Sequence, residues 1–276
     1  MNEPSADPPE KKSELGSTLR SLAIFAVAAW ALRSLVVAPF SIPSGSMLPA
    51  MYIGDYLFVH KWPYGYSRFS FPLQIPSFEG RIFSDLPERG DIVVFRQPGQ
   101  EDNDFIKRVI GLPGDTVAVQ GGTVILNGRP LQRQSEGMVQ VPISANSPCR
   151  VVDGAVPMVR DAAGGGRTCL YPAYRETLTE GPSYLTIDQV DTPRSDDVAP
   201  TAIPAGHLFL MGDNRDDSLD SRYSPYEGGV GLVPLENLVG RASARFWSTD
   251  GSAEWSKPWT WFSALRGERI GGFTSP

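Results

Sequence analysis

From Leu22 to Phe40 the chain is apolar apart from Arg33 and Ser34. At about 1.5 Å of rise per helical residue, that stretch reaches close to the ~30 Å core of a bilayer. Arg33 opposes insertion by about 2.5–3.5 kcal/mol if central, and by less if it snorkels from one end. Leu22, Ile24, Phe25, Val27, Leu32, Leu35, Val36, Val37 and Phe40 each favour insertion by roughly a few tenths of a kcal/mol. Lys11, Lys12 and Arg20 precede the run, and between Arg33 and Lys61 there is no Lys or Arg. That asymmetry places the N terminus in the cytoplasm and the bulk of the chain on the far side. A cleaved secretory signal over Leu22–Leu32 is the rival, but Arg33, Leu35, Val36 and Val37 leave no small-x-small cleavage site. A retained anchor is expected over residues 19–40, behind a disordered cytoplasmic tail over 1–18 that carries Pro4, Pro8 and Pro9.

Beyond the anchor the chain reads as β structure. It holds 28 Gly and 25 Pro, too many for long helices and well suited to turns. Leu57 and Val59 alternate with Tyr56 and Phe58 after the Gly54-Asp55 turn, as in a half-buried strand. Gly90–Arg96, Phe105–Ile110, Thr116–Val119, Thr123–Leu126, His207–Met211 and Leu238–Trp247 read as further strands. Asn127-Gly128 is a tight hairpin signal. Residues 132–205 differ in character, being rich in Gly, Pro, Ser and Asp, and are expected to form an inserted β-rich domain. It divides a catalytic β domain into 41–131 and 206–250. A Trp-rich tail, 251–276, follows. Seven aromatics between Trp62 and Phe83 have no clean period, so they either pack as a loop on the domain or rest on the bilayer surface. The Trp tail carries the same two readings.

A net charge of −6 with no basic stripe argues against a nucleic-acid partner. Two His, His60 and His207, and two Cys, Cys149 and Cys169, fit no zinc spacing. The Asp-rich stretch Gly212–Arg222 lacks the sixth-position Gly and terminal Glu of an EF-hand. Neither metal nor organic cofactor is expected. Cys149 and Cys169 either pair, in an oxidising compartment, or remain two thiols. Arg215 and Arg222, interleaved with Asp213, Asp216, Asp217 and Asp220, suggest ion pairs internal to that loop.

Directly after the anchor comes Pro43-Ser44-Gly45-Ser46-Met47-Leu48-Pro49, a serine in a turn bounded by Gly and Pro. A serine needs a base in hydrogen-bond reach to act as a nucleophile. His60 is the nearest His in sequence, but it sits at a strand end beside Lys61, where a solvated ring is the ordinary case. Lys107 lies among Phe105, Ile106, Val109 and Ile110, where it is either a water-facing strand residue or a desolvated amine.

Three stretches taken together resemble one family. The Ser44–Pro49 turn behind an anchor, Phe105–Asp115 and Gly212–Arg222 are similar, in order, to the motifs of bacterial type I signal peptidases. Gly54–Val59 and Arg89–Phe95 fit the same order. Ala50 departs from the Thr common there, and a single anchor replaces the two of some members. The resemblance implies the mostly β signal-peptidase and repressor-autoprotease fold and a Ser–Lys dyad. Ser46 would be the nucleophile and Lys107 the base. Ser44 would join the Ser46 N–H in an oxyanion hole, Ser218 would orient the amine, and Asp220 and Arg222 would hold the loop behind it. Ile42, Pro43, Met47, Phe105 and Ile106 are expected to line small substrate pockets. Burial beside Phe105, Ile106, Leu210 and Met211 would lower the amine pKa from about 10.4 toward about 8.

The implied activity is removal of signal peptides from exported preproteins after small-x-small sites. A monomer is expected in the bacterial inner membrane, touching lipid, with its catalytic domain on the periplasmic side. Soluble self-cleaving repressors share the chemistry, but they would lack the anchor and carry a DNA-binding domain. A non-catalytic anchored scaffold is the alternative of a different class.

Overall fold

The computed structural model describes residues 12–162, 165–254 and 256–272. It opens with helix α1, Lys12–Ala31, which widens into a π turn over Leu32–Val36. Leu19, Leu22, Ile24, Phe25 and Val27 are all exposed, so none of the described residues covers them. The segment Leu15–Val36 is long and apolar enough to cross a membrane.

The apolar run nevertheless serves two elements. Its last residues belong to strand β1, Val37–Ser41, so the helix ends before the expected boundary at 40. Pro39 has no N–H to donate and its ring excludes a continuing helix. It is accommodated because β1 lies at a sheet edge. The expected disordered tail lies outside the described residues as far as residue 11, and from Lys12 the chain is helical.

Strand β2, Asp55–His60, pairs antiparallel with β1 and buries Leu57 and Val59 while exposing Tyr56 and Phe58, as the alternation predicts. The aromatic segment after it divides its residues. Tyr64 and Phe69 are buried, whereas Trp62, Leu73, Ile75 and Phe83 are exposed. This segment lies against the end of the helix: Phe71 stacks on Trp30 at 6.0 Å, and Tyr66 Oη donates to the Leu35 carbonyl at 2.8 Å.

Strands β3, Ile92–Gln97, and β4, Gln100–Gly111, form the hairpin that crosses the centre of the sheet. Then β5, Thr116–Gln120, β6, Thr123–Leu126, and β7, Arg129–Pro130, turn away into a small second sheet. The inserted segment supplies β8, Gln132–Pro142, β9, Met158–Asp161, β10, Arg167–Thr177, and β11, Ser183–Ile187, in a sheet of their own. Cys149 and Cys169 are joined there with Cα atoms 5.7 Å apart. Strand β12, Val198–Ala202, was expected in the insertion but pairs with β5, so the insertion's own sheet closes at Ile187.

The chain then returns to the large sheet as β13, His207–Met211, β14, Val233–Pro234, and β15, Leu238–Ser248, with β16, Gly271–Gly272, added on β15. This sheet has eight strands, in the order β1-β2-β15-β3-β4-β13-β14 with β16 beside β15. The tail is fastened by Arg266 and Arg269 around the fully buried Asp55, and Trp259 and Phe262 stay exposed. Trp255 lies outside the described residues.

Candidate active site

The Ser46 turn is fixed by apolar side chains on both sides. Met47 and Met51 enter one core cluster with Ile42, Leu57 and Ile106. Leu48 enters another with Val141, Cys169, Tyr171 and Ile187 of the insertion. The Gly45 and Ser46 carbonyls are both held by Asn214, through its side-chain Nδ2 at 3.1 Å and its backbone N–H at 3.1 Å. Burial of the flanking residues thus sets where the hydroxyl points.

Lys107 sits in the middle of β4, opposite Val93 of β3. Strand alternation separates it from its neighbour Arg108. Arg108 points to the other side, where it grips Asp213 with bonds of 2.7 and 2.6 Å. Lys107 points to the serine. Its Nζ lies 2.8 Å from Ser46 Oγ, and the residue is only 3% exposed. Burial drives the Lys107 pKa down to about 8, against the opposing charges of Asp220, Asp213 and Asp217. The Phe105 ring centroid is 5.6 Å from the amine.

Ser44 is exposed, with its Oγ 3.5 Å from that of the buried Ser46. Asp220 and Arg222 form a fork with both bonds at 2.9 Å, and Asp220 also accepts the Gly212 N–H at 3.0 Å. Ser218 differs from expectation. It is buried at the same place, since a Cβ on Gly212 would meet both Ser218 Oγ and the Ser46 carbonyl. Among the described residues its Oγ has no hydrogen-bond partner, while the amine bonds Ser46.

The expected internal pairing of the Asp-rich loop also needs correction. Asp220 and Arg222 pair within it, but Asp213 pairs with Arg108, Arg215 with Glu176 of β10, and Asp217 with Arg150. A sequence run shows the charges but not their partners, which here come from three other segments. Asp188, Asp196 and Asp216 have carboxylate oxygens within 4.8 Å of one another. They are tied to Arg133 and to the N–H groups of Gln189, Val190 and Thr192, so the group reads as an internal cross-link.

The five pocket candidates divide. Ile42, Met47 and Ile106 share the core cluster beneath the turn, and Met47 is fully buried, standing behind the surface. Pro43 is exposed, and Phe105 packs on the opposite cluster, 6.1 Å from Phe95. A cavity of about 360 Å³ lies on the Arg108 side of β4, lined also by Tyr52, Arg245 and Arg269, and neither Ser46 nor Lys107 reaches it. His60 is removed from Ser46, stacking on Trp62 at 4.4 Å and meeting Ser243 Oγ at 3.2 Å. Asn214 and Arg108 stand inside or beside the motifs without having been assigned a role. Their signal was adjacency to Asp213 and Lys107. Arg150 offered none.

The family described as signal peptidase, peptidase S26, matches residues 15–247. A signal peptidase I of Rickettsia typhi is 33% identical over 226 residues, covering 79% of this chain and 75% of its own. One from Rickettsia canadensis is 34% identical over 238 residues, covering 83% and 79%. A crystal structure of a signal peptidase I from Enterococcus faecalis, 24% identical, covers 57% of this chain and 97% of its own with a TM-score of 0.28.

Proposed function

This chain belongs to the signal peptidase, peptidase S26 family, and from that premise we propose that Ser46 and Lys107 perform its cleavage reaction. The observation that carries the reading is the buried 2.8 Å contact between Nζ and Oγ. A neutral amine accepts the Ser46 proton as the oxygen attacks the scissile carbonyl carbon. The tetrahedral oxyanion is met by the Ser46 N–H and the Ser44 hydroxyl. The ammonium then protonates the leaving amine, and water repeats the sequence on the acyl-enzyme. Ser218, with no other partner, is available to the ammonium when Ser46 is acylated. Asp220 and Arg222 keep that loop in place.

Substrate and location follow from the same reading. The Ser46 turn is five residues past the end of β1, itself directly after the membrane-length segment, so the hydroxyl acts close to the bilayer. The substrates are exported preproteins cut after small-x-small residues. The body of the chain lies outside the inner membrane, where the Cys149–Cys169 pair suits an oxidising medium.

Two measurements check this. With the Lys107 pKa at about 8, kcat/KM on a model preprotein rises about tenfold per pH unit below that value and levels off above it. A flat profile from pH 6 to 9 would remove the lysine as base. Gly212→Ala places a methyl 2.5 Å from the Ser46 carbonyl and 2.3 Å from Ser218 Oγ. The forced displacement is expected to lower kcat about 100-fold. Wild-type turnover in that variant would show that the tight packing has no role.

A further inference from the structure

We infer that Arg150, from the inserted domain, is a positioning residue for the dyad and acts through Asp217. The inference rests on the Ser46–Lys107 reading. Arg150 holds Asp217 with two parallel bonds, Nε to Oδ2 at 2.5 Å and Nη2 to Oδ1 at 2.8 Å. The pair lies against the nucleophile turn itself. A Cβ on Gly45 would stand 3.4 Å from Asp217 Oδ2 and 3.5 Å from Arg150 Nε.

Arg150 is in turn secured by the insertion. Its N–H donates to Tyr171 Oη at 2.7 Å, and the preceding residue, Cys149, is bonded to Cys169. Tyr171 and Cys169 pack with Leu48, two residues past the nucleophile. One face of the insertion therefore braces the turn from below through apolar contact and from the side through an ion pair.

The ion pair also sets the charge that Lys107 meets. Asp220, Asp213 and Asp217 face the amine from the β13 loop and favour its ammonium form, while Arg222 opposes them. Asp220 is matched by Arg222 and Asp213 by Arg108. Asp217 is matched by Arg150. The Ser44–Pro49 turn adds no acid or base, and β3 presents Val93 opposite the lysine. Removing Arg150 leaves Asp217 uncompensated, so the ammonium form gains and the base is less available at a given pH.

The test uses the full-length enzyme in detergent micelles and a model preprotein. Arg150→Met is expected to move the acid limb of kcat/KM upward by roughly half a pH unit, the scale of one partly screened charge. Arg150→Met combined with Asp217→Asn is expected to return the limb to its original position or below. A merely structural role would lower the plateau without moving the limb. An unmoved limb in the single variant, or an upward shift that survives in the double, overturns the inference. Failure of the dyad itself looks different: Lys107→Met would still cleave, and the inference would fall with it.

Discussion

Replacing Lys107 by methionine is expected to abolish preprotein cleavage and, at neutral pH, to raise the melting temperature. The first effect follows from geometry. Among the described residues, the Lys107 amine is the basic group bonded to Ser46, and His60 is engaged elsewhere. Losing a positioned base costs about 10²–10⁴ in rate. Losing either member of a pair that acts as a unit costs about as much as losing both. Ser46→Ala should therefore match Lys107→Met, and the double variant should be no worse.

The second effect follows from burial. The pKa of Lys107 falls from 10.5 to about 8 on folding, which corresponds to about 3 kcal/mol of penalty on the charged form. The sign is fixed by which state holds the proton. Below about pH 8 the lysine is charged in both states and the folded state bears the whole penalty. Between about 8 and 10.5 the unfolded chain is still protonated and the folded one is not, so the penalty fades as pH rises. Above 10.5 both states are neutral and it is gone. Methionine carries no charge and fills similar volume, so its stabilising effect should be present at pH 7 and absent near pH 10.5. Thermal unfolding at both pH values reads this directly. A melting temperature unchanged at pH 7 would mean that the amine is well solvated, and the proposed base would lose its physical ground.

Asp220→Ala is expected to destabilise the fold by about 3–5 kcal/mol, the usual cost of leaving one buried charge without its partner. Asp220 is fully buried and the Arg222 side chain is 1% exposed. Removing the carboxylate leaves Arg222 with the Arg215 and Ser195 carbonyls and strips the Gly212 N–H of its acceptor. Asp220→Leu with Arg222→Met should recover much of the loss, because apolar side chains remove both charges together. Urea unfolding of the parent protein, the single variant and the double variant measures the difference. A loss under about 1 kcal/mol in the single variant would show that water reaches the pair.

Much of this protein was legible before folding was considered. Alternation around Leu57 and Val59, the buried run at Ile92–Phe95 and the Asn127-Gly128 turn each marked a strand or hairpin that the structure contains. Local periodicity records which face is buried, and that record survives in a single strand. The membrane-length segment was legible for the same reason, since a long, mostly apolar stretch needs no partner to be recognised. The family resemblance joined Ser46 to Lys107, and the two side chains meet at 2.8 Å.

What tertiary structure decided is everything that depends on a partner distant in sequence. Where the apolar run stops being helix was set by pairing of Val37–Ser41 with Asp55–His60. The loop charges Asp213, Arg215 and Asp217 found partners in Arg108 of β4, Glu176 of β10 and Arg150 rather than in each other. Strand β12 left the insertion to complete a sheet begun eighty residues earlier, Thr201 lying opposite Val117. A charge or a strand edge has many possible complements in the chain. Burial of the whole molecule selects among them, because a polar group taken from water must be paired wherever the packing puts it.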